Sequence, residues 1–192
     1  MPHKLLSTER LLLRSVQATD VDHLYALDND LEVMRWINGG KPVSREHICN
    51  EILPLFMTYN DARPVLGFWV VECLEDKEFL GWVCMRATEK PNEVSIGYRF
   101  ARKTWGNGFA TEAVGALIHE GLMNDNISRI VANTYEENVA SQRLMDKLGM
   151  KLSRRYRFSE TELRASDTSH SSGEVWQGDE LEYSLEHDAY VR

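Results

Sequence analysis

The chain has 192 residues, a length that suits one compact domain with a sizeable hydrophobic core. Hydrophobic residues make up 43% of it and charged residues 27%, as in ordinary globular proteins, and no apolar run approaches the length of a membrane span. The formal net charge of −8 argues against nucleic acid as the main ligand, because phosphate neutralisation requires a basic surface. We therefore expect a single domain over residues 1–192 that binds neither nucleic acid nor membranes.

The cysteines and histidines predict neither disulfides nor a metal site. The three cysteines are odd in number and lack the spacing of metal ligands, so we expect reduced thiols in a cytoplasmic protein. Three histidines lie on predicted helices without clustered partners: His23, His47 and His119.

Strand and helix patterns in the first half predict a strand, three helical segments and an antiparallel hairpin. Pro54 is expected to kink the third helix or to restart it, because proline lacks the N–H that a helix interior requires. The predicted segments are 10–16 (strand), 19–28, 31–37 and 44–59 (helices), and 65–72 and 79–85 (the hairpin strands).

The second half predicts strands that alternate with helices. A strand leads into a glycine-rich turn and a long amphipathic helix, and after the next strand Asn138 caps a helix that Gly149 closes. The predicted strands are 93–100, 127–134, 152–158 and 180–185, with a polar loop at 165–173. This order predicts an α/β fold with a mixed sheet and helices on both of its faces.

The glycine-rich turn at residues 102–113 is the segment that most directly indicates a function. Gly106 and Gly108 permit left-handed backbone, and the helix that follows presents free N–H groups at its N-terminus. Such a terminus binds anions, phosphates above all. A Walker loop is excluded because Phe109 and Ala110 follow Gly108 where Lys and Ser or Thr are required. A dinucleotide fingerprint is excluded because Thr111 stands at its third small position.

Three segments resemble the GNAT acetyltransferases. The turn is similar to their pyrophosphate loop, Gln/Arg-x-x-Gly-x-Gly/Ala, with Trp105, Gly108 and Ala110 at the first, fourth and sixth places. The block from Asn138 to Gly149 resembles the family's Asn-x-x-Ser and Lys-Leu-Gly-Phe sequence, and residues 8–14 resemble the opening of its ribosomal-protein N-terminal branch. The resemblance implies the GNAT fold, a mixed and mostly antiparallel sheet with splayed central strands.

The resemblance also implies a binding site for acetyl-CoA as cosubstrate. An N–H near Phe100 would donate to the oxyanion, and Trp105 would lack the phosphate contact that Gln or Arg makes. The implied cofactor-binding residues are Phe100, Ala101, Arg102, Trp105, Gly106, Asn107, Gly108, Phe109, Ala110, Thr111, Asn138 and Ser141.

Acyl transfer to an amine also requires a base and an acid. Ser141 is the candidate acid for the leaving thiolate. Because a serine hydroxyl is itself a poor acid, it would relay a proton from water or hold the sulfur, and Tyr135, with a better-matched pKa, is the alternative. Ser95 stands where family members often place a glutamate, so Glu93, on the same strand face, is the candidate base acting through water. Glu93 is otherwise a solvated carboxylate at a strand end.

We therefore expect acetyl transfer from acetyl-CoA to a primary amine, either a protein N-terminal α-amine or a small amine, by direct attack on the thioester. The enzyme would be metal-free and monomeric or homodimeric. The alternative from another class is a catalytically silent acyl-CoA-binding or sensing module.

Overall fold

The computed structural model describes residues 5–62, 66–123, 126–157 and 178–190. Within these residues, eight strands form one sheet with helices on both faces. The strands are β1 Leu5–Ser7, β2 Leu11–Ser15, β3 Gly67–Cys73, β4 Phe79–Ala87, β5 Glu93–Phe100, β6 Arg129–Tyr135, β7 Lys151–Tyr156 and β8 Glu180–Glu186. The helices are α1 Val21–Asp28, α2 Leu31–Asn38, α3 Arg45–His47, α4 Leu53–Ala62, α5 Phe109–Leu122, α6 Val139–Lys147 and α7 His187–Tyr190. None of the helices in this part of the chain is long and apolar enough to cross a membrane.

The strand order confirms the predicted mixed, mostly antiparallel sheet. The order is β1-β2-β3-β4-β5-β6-β8-β7, and all neighbours are antiparallel except β5 and β6, which α5 joins as a parallel pair. Two features differ from the prediction. The first pairing in the sheet involves β1, a strand that the sequence did not indicate, and β8 lies between β6 and β7. The predicted polar loop at 165–173 lies outside the described residues.

Alternation along the strands builds a separate hydrophobic core on each face of the sheet. On one face, β4, β5 and β6 pack against α5, while on the other face β3 and β4 pack against α1 and α4. The first core includes Val94, Ile96, Phe100, Leu117 and Ile118, and the second includes Leu24, Phe56, Phe68, Val70 and Trp82. β5 therefore contributes its apolar side chains to the core beneath α5.

Pro54 has its predicted effect on the helical segment that contains it. A π-helical turn at Ile48–Ile52 separates α3 from α4, and the Leu53 N–H donates to the Ile48 carbonyl. A proline ring clashes with the carbonyl of the residue four positions earlier, and a widened turn relieves that clash.

The parallel pair in the centre of the sheet is short. The register joins Glu93 to Arg129, Val94 to Ile130 and Ser95 to Val131, and pairing stops there. Beyond that point β5 continues to Phe100 and β6 to Tyr135 without pairing to each other. The two strands therefore diverge, which confirms the splayed central strands. We call the opening between residues 96–100 and 132–135 the cleft.

Candidate active site

The edge of β5 presents unpaired backbone groups to the cleft. The Ala101 N–H donates to the Leu80 carbonyl at 2.9 Å, so it points toward β4. Successive backbone groups of a strand point to alternate sides, so the N–H groups of Tyr98 and Phe100 point toward β6 and the cleft. The Phe100 N–H therefore faces the cleft, whereas the Ala101 N–H is committed to the sheet, and the role of Phe100 as oxyanion donor stays a prediction.

The loop at the end of β5 has the geometry of a phosphate cradle. Gly106 and Gly108 have φ of 77° and 79°, in the left-handed region. A Cβ at Gly106 would meet nothing within 4 Å, so the space above the loop is open. Gly108 is the N-cap of the 14-residue α5 and provides no side-chain cap, so the first-turn N–H groups of Phe109, Ala110 and Thr111 are left for a ligand. These groups and the helix dipole fit a pyrophosphate.

Arg10 holds this loop from the side of β2. Its Nε donates to Glu112 Oε2 at 2.7 Å, its NH1 donates to the Asn107 carbonyl at 3.1 Å, and its guanidinium lies 4.5 Å from the centre of the Phe109 ring. Thr8 also donates to Glu112. Burial would raise the pKa of Glu112, but hydrogen bonds from Thr8 and Arg10 outweigh it and lower the pKa. No local pattern indicates this role of Arg10, although Arg10 lies in the segment that resembles the family opening.

Trp105 braces the loop against β5. Its indole Nε1 donates to the Phe100 carbonyl at 2.8 Å, and 48% of the residue is exposed. Asn107 Nδ2 donates to the carbonyls of Thr104 and Trp105 at 3.3 and 3.2 Å, which closes the turn internally. Arg102 is exposed and begins the short helical turn Arg102–Thr104, which ends at the buried Thr104. Trp105 therefore contributes a structural hydrogen bond at the place where family members carry Gln or Arg.

Ser141 and Tyr98 are joined by a hydrogen bond between α6 and β5. Asn138 caps α6, and its Oδ1 accepts the Ser141 N–H at 3.2 Å. The Ser141 Oγ lies 2.6 Å from the Tyr98 hydroxyl. Burial raises the pKa of Tyr98 to about 12, so its phenol carries a proton at neutral pH. Tyr98 was missed by the sequence analysis, because no local pattern reveals a contact between residues 43 positions apart.

Tyr135 lies on the opposite face of the sheet from Tyr98. Ile130 and Ala132 belong to the core beneath α5, so alternation places Tyr135 on the other face of β6. Its carbonyl accepts the Asn138 N–H at 3.0 Å, which connects it directly to the α6 cap. Burial, together with the charge of Glu180, raises the pKa of Tyr135 to about 12.

Glu93 lies at the far end of β5 from the loop. Its carboxylate accepts hydrogen bonds from Arg129 NH1 at 2.7 Å and Thr88 Oγ1 at 3.0 Å, with Lys90 Nζ at 3.4 Å. Burial would raise the pKa of Glu93, but these partners outweigh it and lower the pKa. Seven residues of extended strand place Glu93 roughly 20 Å from Phe100. The structure thus brings Ser141 to the cleft but leaves Glu93 in an ion-pair cluster, and its role as base stays a prediction.

Residues 5–62, 66–123, 126–157 and 178–190 contain no group of three or more His, Cys, Asp or Glu suited to a metal ion. His23 instead stacks on Phe79, and His47 lies beside Glu51. The absence of a metal from the chemistry stays a prediction.

Comparison with known proteins identifies relatives of the whole arrangement. Residues 10–151 match the family described as Acetyltransferase (GNAT) domain. An uncharacterized N-acetyltransferase of Bacillus subtilis, YoaA, is 30% identical over 146 residues, which cover 76% of this chain and 81% of that one. The family match spans β2 to the start of β7 and includes the glycine loop and the Asn138 block.

Solved structures share the fold at low identity. The RimL ribosomal L7/L12 α-N-protein acetyltransferase in complex with coenzyme A superposes with a TM-score of 0.77 at 18% identity, covering 97% of this chain and 99% of that one. The spermidine N-acetyltransferase of Vibrio cholerae, in complex with CoA and spermine, gives 0.73 at 16% identity, covering 96% and 100%. Both neighbours were solved with CoA bound.

Proposed function

The chain belongs to the GNAT acetyltransferase family, and we propose that it transfers the acetyl group of acetyl-CoA to a primary amine by direct attack of that amine on the thioester. Family membership makes it an acetyl-CoA-dependent N-acetyltransferase. The observation that carries the detailed proposal is the early end of β5–β6 pairing, which leaves a cleft beside an uncapped helix and its glycine loop.

The acetyl-CoA would lie along the cleft from the loop inward. The pyrophosphate would take the N–H groups between Gly106 and Thr111, where the open space and the helix dipole favour an anion. The pantetheine arm would pair with the edge of β5 as an added strand does. Asn138 and Ser141, at the start of α6, would border it on the β6 side.

The proton for the leaving sulfur would come from the hydrogen-bonded pair Tyr98 and Ser141. A serine hydroxyl alone is a weak acid, but here it has a protonated phenol 2.6 Å away that can replace its proton. Ser141 would donate to the thiolate while it accepts from Tyr98. The Phe100 N–H, directed into the cleft, would stabilise the oxyanion of the tetrahedral intermediate.

Ser141→Ala is expected to lower kcat roughly tenfold while the Kd for CoA changes little, because the hydroxyl would act on the leaving group rather than on the bound cosubstrate. Calorimetry with CoA and steady-state kinetics measure the two quantities separately. Equal losses in kcat and CoA affinity would make Ser141 a binding residue only.

The matched variant Tyr98→Phe tests whether the two hydroxyls act together. We expect it to reproduce the Ser141→Ala effect, and the double variant should lose little more than either single one. Independent, multiplicative losses would contradict a shared proton path.

The acceptor is proposed to be a protein N-terminal α-amine or a small primary amine. The neighbours of known fold include an α-N-protein acetyltransferase and a spermidine acetyltransferase, so the fold is compatible with both classes. The net charge of −8 favours cationic acceptors during encounter. Only the neutral amine attacks, and α-amines, with a pKa of ~8, are neutral more often at pH 7 than lysine side chains, with a pKa of ~10.4.

We therefore expect faster acetylation of α-amines than of lysine side chains at neutral pH. Two peptides of one sequence make the comparison, one with a free N-terminus and no lysine, the other N-terminally blocked with a single lysine. Acetylation of each is followed by mass spectrometry. Faster acetylation of the lysine peptide would contradict the α-amine proposal. It would mean that the enzyme selects its acceptor by recognising the lysine side chain rather than by the pKa of the amine.

A further inference from the structure

Glu180 is a buried carboxylate on the face of the sheet opposite α5 and α6. It is the first residue of β8, and 7% of it is exposed. Alternation along β8 places Leu181, Tyr183 and Leu185 in the core beneath α5, so Glu180 faces the other way. Within the described residues, no hydrogen bond or ion pair reaches its carboxylate. Burial makes the ionised form of such a carboxylate costly, so Glu180 is a candidate for function.

The sheet register places Glu180 between two tyrosines. Its antiparallel partners are Tyr135 on β6 and Tyr156 on β7. Cross-strand partners have Cβ atoms about 5 Å apart, so the carboxylate is flanked by both rings. On β7 and β8, the neighbouring charged groups on this face are Glu182 and Arg154, whose guanidinium lies 4.5 Å from the centre of the Tyr156 ring. Across the cleft, alternation along β5 turns Arg99 to the same face, where it is paired with Asp28. Glu182 is itself bonded to Arg129 and Ser153.

Glu180 lies at the level of the proton-donating pair. Its neighbour Tyr135 accepts the Asn138 N–H at 3.0 Å, and Asn138 accepts the Ser141 N–H at 3.2 Å. Tyr135 ends the β6 wall of the cleft, beyond the point where β5 and β6 separate. Ser141 therefore lies on the α6 side of the sheet, and Glu180 lies on the opposite side, on the strand next to the β6 wall of the cleft.

Resting on the proposed function, we infer that Glu180 is the general base that takes the proton from the ammonium form of the acceptor. The ammonium would enter on the face opposite α6, transfer one proton to Glu180, and attack the thioester carbon as a neutral amine. The C–N bond forms and the C–S bond breaks. Ser141, supplied by Tyr98, gives a proton to the leaving sulfur. The nitrogen then loses a second proton, which restores the proton of the Ser141 and Tyr98 pair. Glu180 releases the proton that it took from the ammonium to solvent.

The environment suits this role. Burial raises the pKa of Glu180 to about 7. A general base is most effective when its pKa lies close to the pH at which the enzyme works. Glu93 differs, since Thr88, Lys90 and Arg129 hold it ionised with a lowered pKa. Two carboxylates on one face of the sheet thus have opposite pKa shifts, which separates a reactive group from a structural one.

The test is the pH dependence of kcat/KM for four proteins: wild type, Glu180→Gln, Glu182→Gln as the matched control, and Glu93→Gln. The acceptors are a peptide with a free α-amine and an arylamine, which is already neutral at pH 7. With the peptide, we expect Glu180→Gln to lower kcat/KM about 100-fold at pH 7. Its curve of kcat/KM against pH should also lack the inflection near pH 7. The arylamine rate should fall less than about threefold, because this acceptor has no proton to give before attack.

Glu182→Gln should retain the wild-type inflection. An unchanged peptide profile in Glu180→Gln, or equal losses for both acceptors, would overturn the inference. Loss of the inflection in Glu93→Gln alone would assign the base to Glu93. A wild type that binds CoA but acetylates no amine would overturn the proposed function and this role with it. A wild type that is active, with Glu180→Gln unchanged, would overturn only the role of Glu180, so the two failures are distinguishable.

Discussion

A Gly108→Val variant is expected to bind CoA about 100-fold more weakly than the wild type while it keeps the fold. A Cβ at Gly108 would lie 3.5 Å from Arg10 NH2, so the larger valine would push Arg10 away from the loop and crowd the N–H groups of the first turn of α5. Each hydrogen bond to a charged group contributes roughly 1.5–3 kcal/mol. Loss of one or two such bonds, at 1.4 kcal/mol for each factor of ten, gives an effect of about that size.

Gly149→Val is the matched control for this variant. Gly149 has φ of 78°, against 79° at Gly108, and a Cβ there meets nothing within 4 Å. Both valines therefore impose a similar backbone strain, roughly 1–2 kcal/mol, but Gly149 closes α6 at the end far from its cap. Calorimetry should show nearly wild-type CoA affinity in Gly149→Val. Equal affinities in the two variants would remove the loop from the CoA site.

The second large effect concerns stability and requires no substrate. Burial raises the pKa of Glu180 to about 7, well above the value of ~4.3 for a glutamate in an unfolded chain. Between these values the native state binds more protons than the unfolded state, so the free energy of unfolding falls as pH rises. The destabilisation is absent below about pH 4 and complete above about pH 7.

Between pH 5 and pH 8, we expect the free energy of unfolding of the wild type to fall by about 2–3 kcal/mol relative to that of Glu180→Gln. Urea denaturation of both proteins at several pH values measures this difference, because other titrating groups are common to the two. Glu182→Gln, altered on the same strand and face, should not show the relative gain. Parallel curves for wild type and Glu180→Gln would mean that Glu180 titrates as an exposed glutamate.

Local patterns predicted the parts of the site that adjacent residues form. The strand at 93–100 depends on alternation, and the glycine turn depends on backbone freedom. The Asn138 cap depends on a side chain that bonds its own helix. All three occur as predicted. The splay also followed from the resemblance and is visible as the early end of β5–β6 pairing.

Contacts between distant segments were not predictable in this way. The Arg10–Glu112 pair joins residues 102 positions apart, and Tyr98 meets Ser141 across 43. The position of Glu180 depends on β8 lying between β6 and β7, a strand order that the local patterns do not predict. Without that strand order, nothing in the sequence distinguishes Glu180 from a solvated glutamate, and Glu93, nearer the loop in sequence, was the better candidate.

The most direct test of the account is a single reaction of the purified protein with acetyl-CoA and a peptide that has a free α-amine. Thiol release and the acetylated peptide are measured in the same samples over time. We predict that the two appear together in equal amounts, that both need the peptide, and that both nearly vanish in Gly108→Val. Tight binding of CoA with neither thiol release nor acetylated product, for peptides and small amines alike, would contradict the account and identify a silent acyl-CoA-binding module.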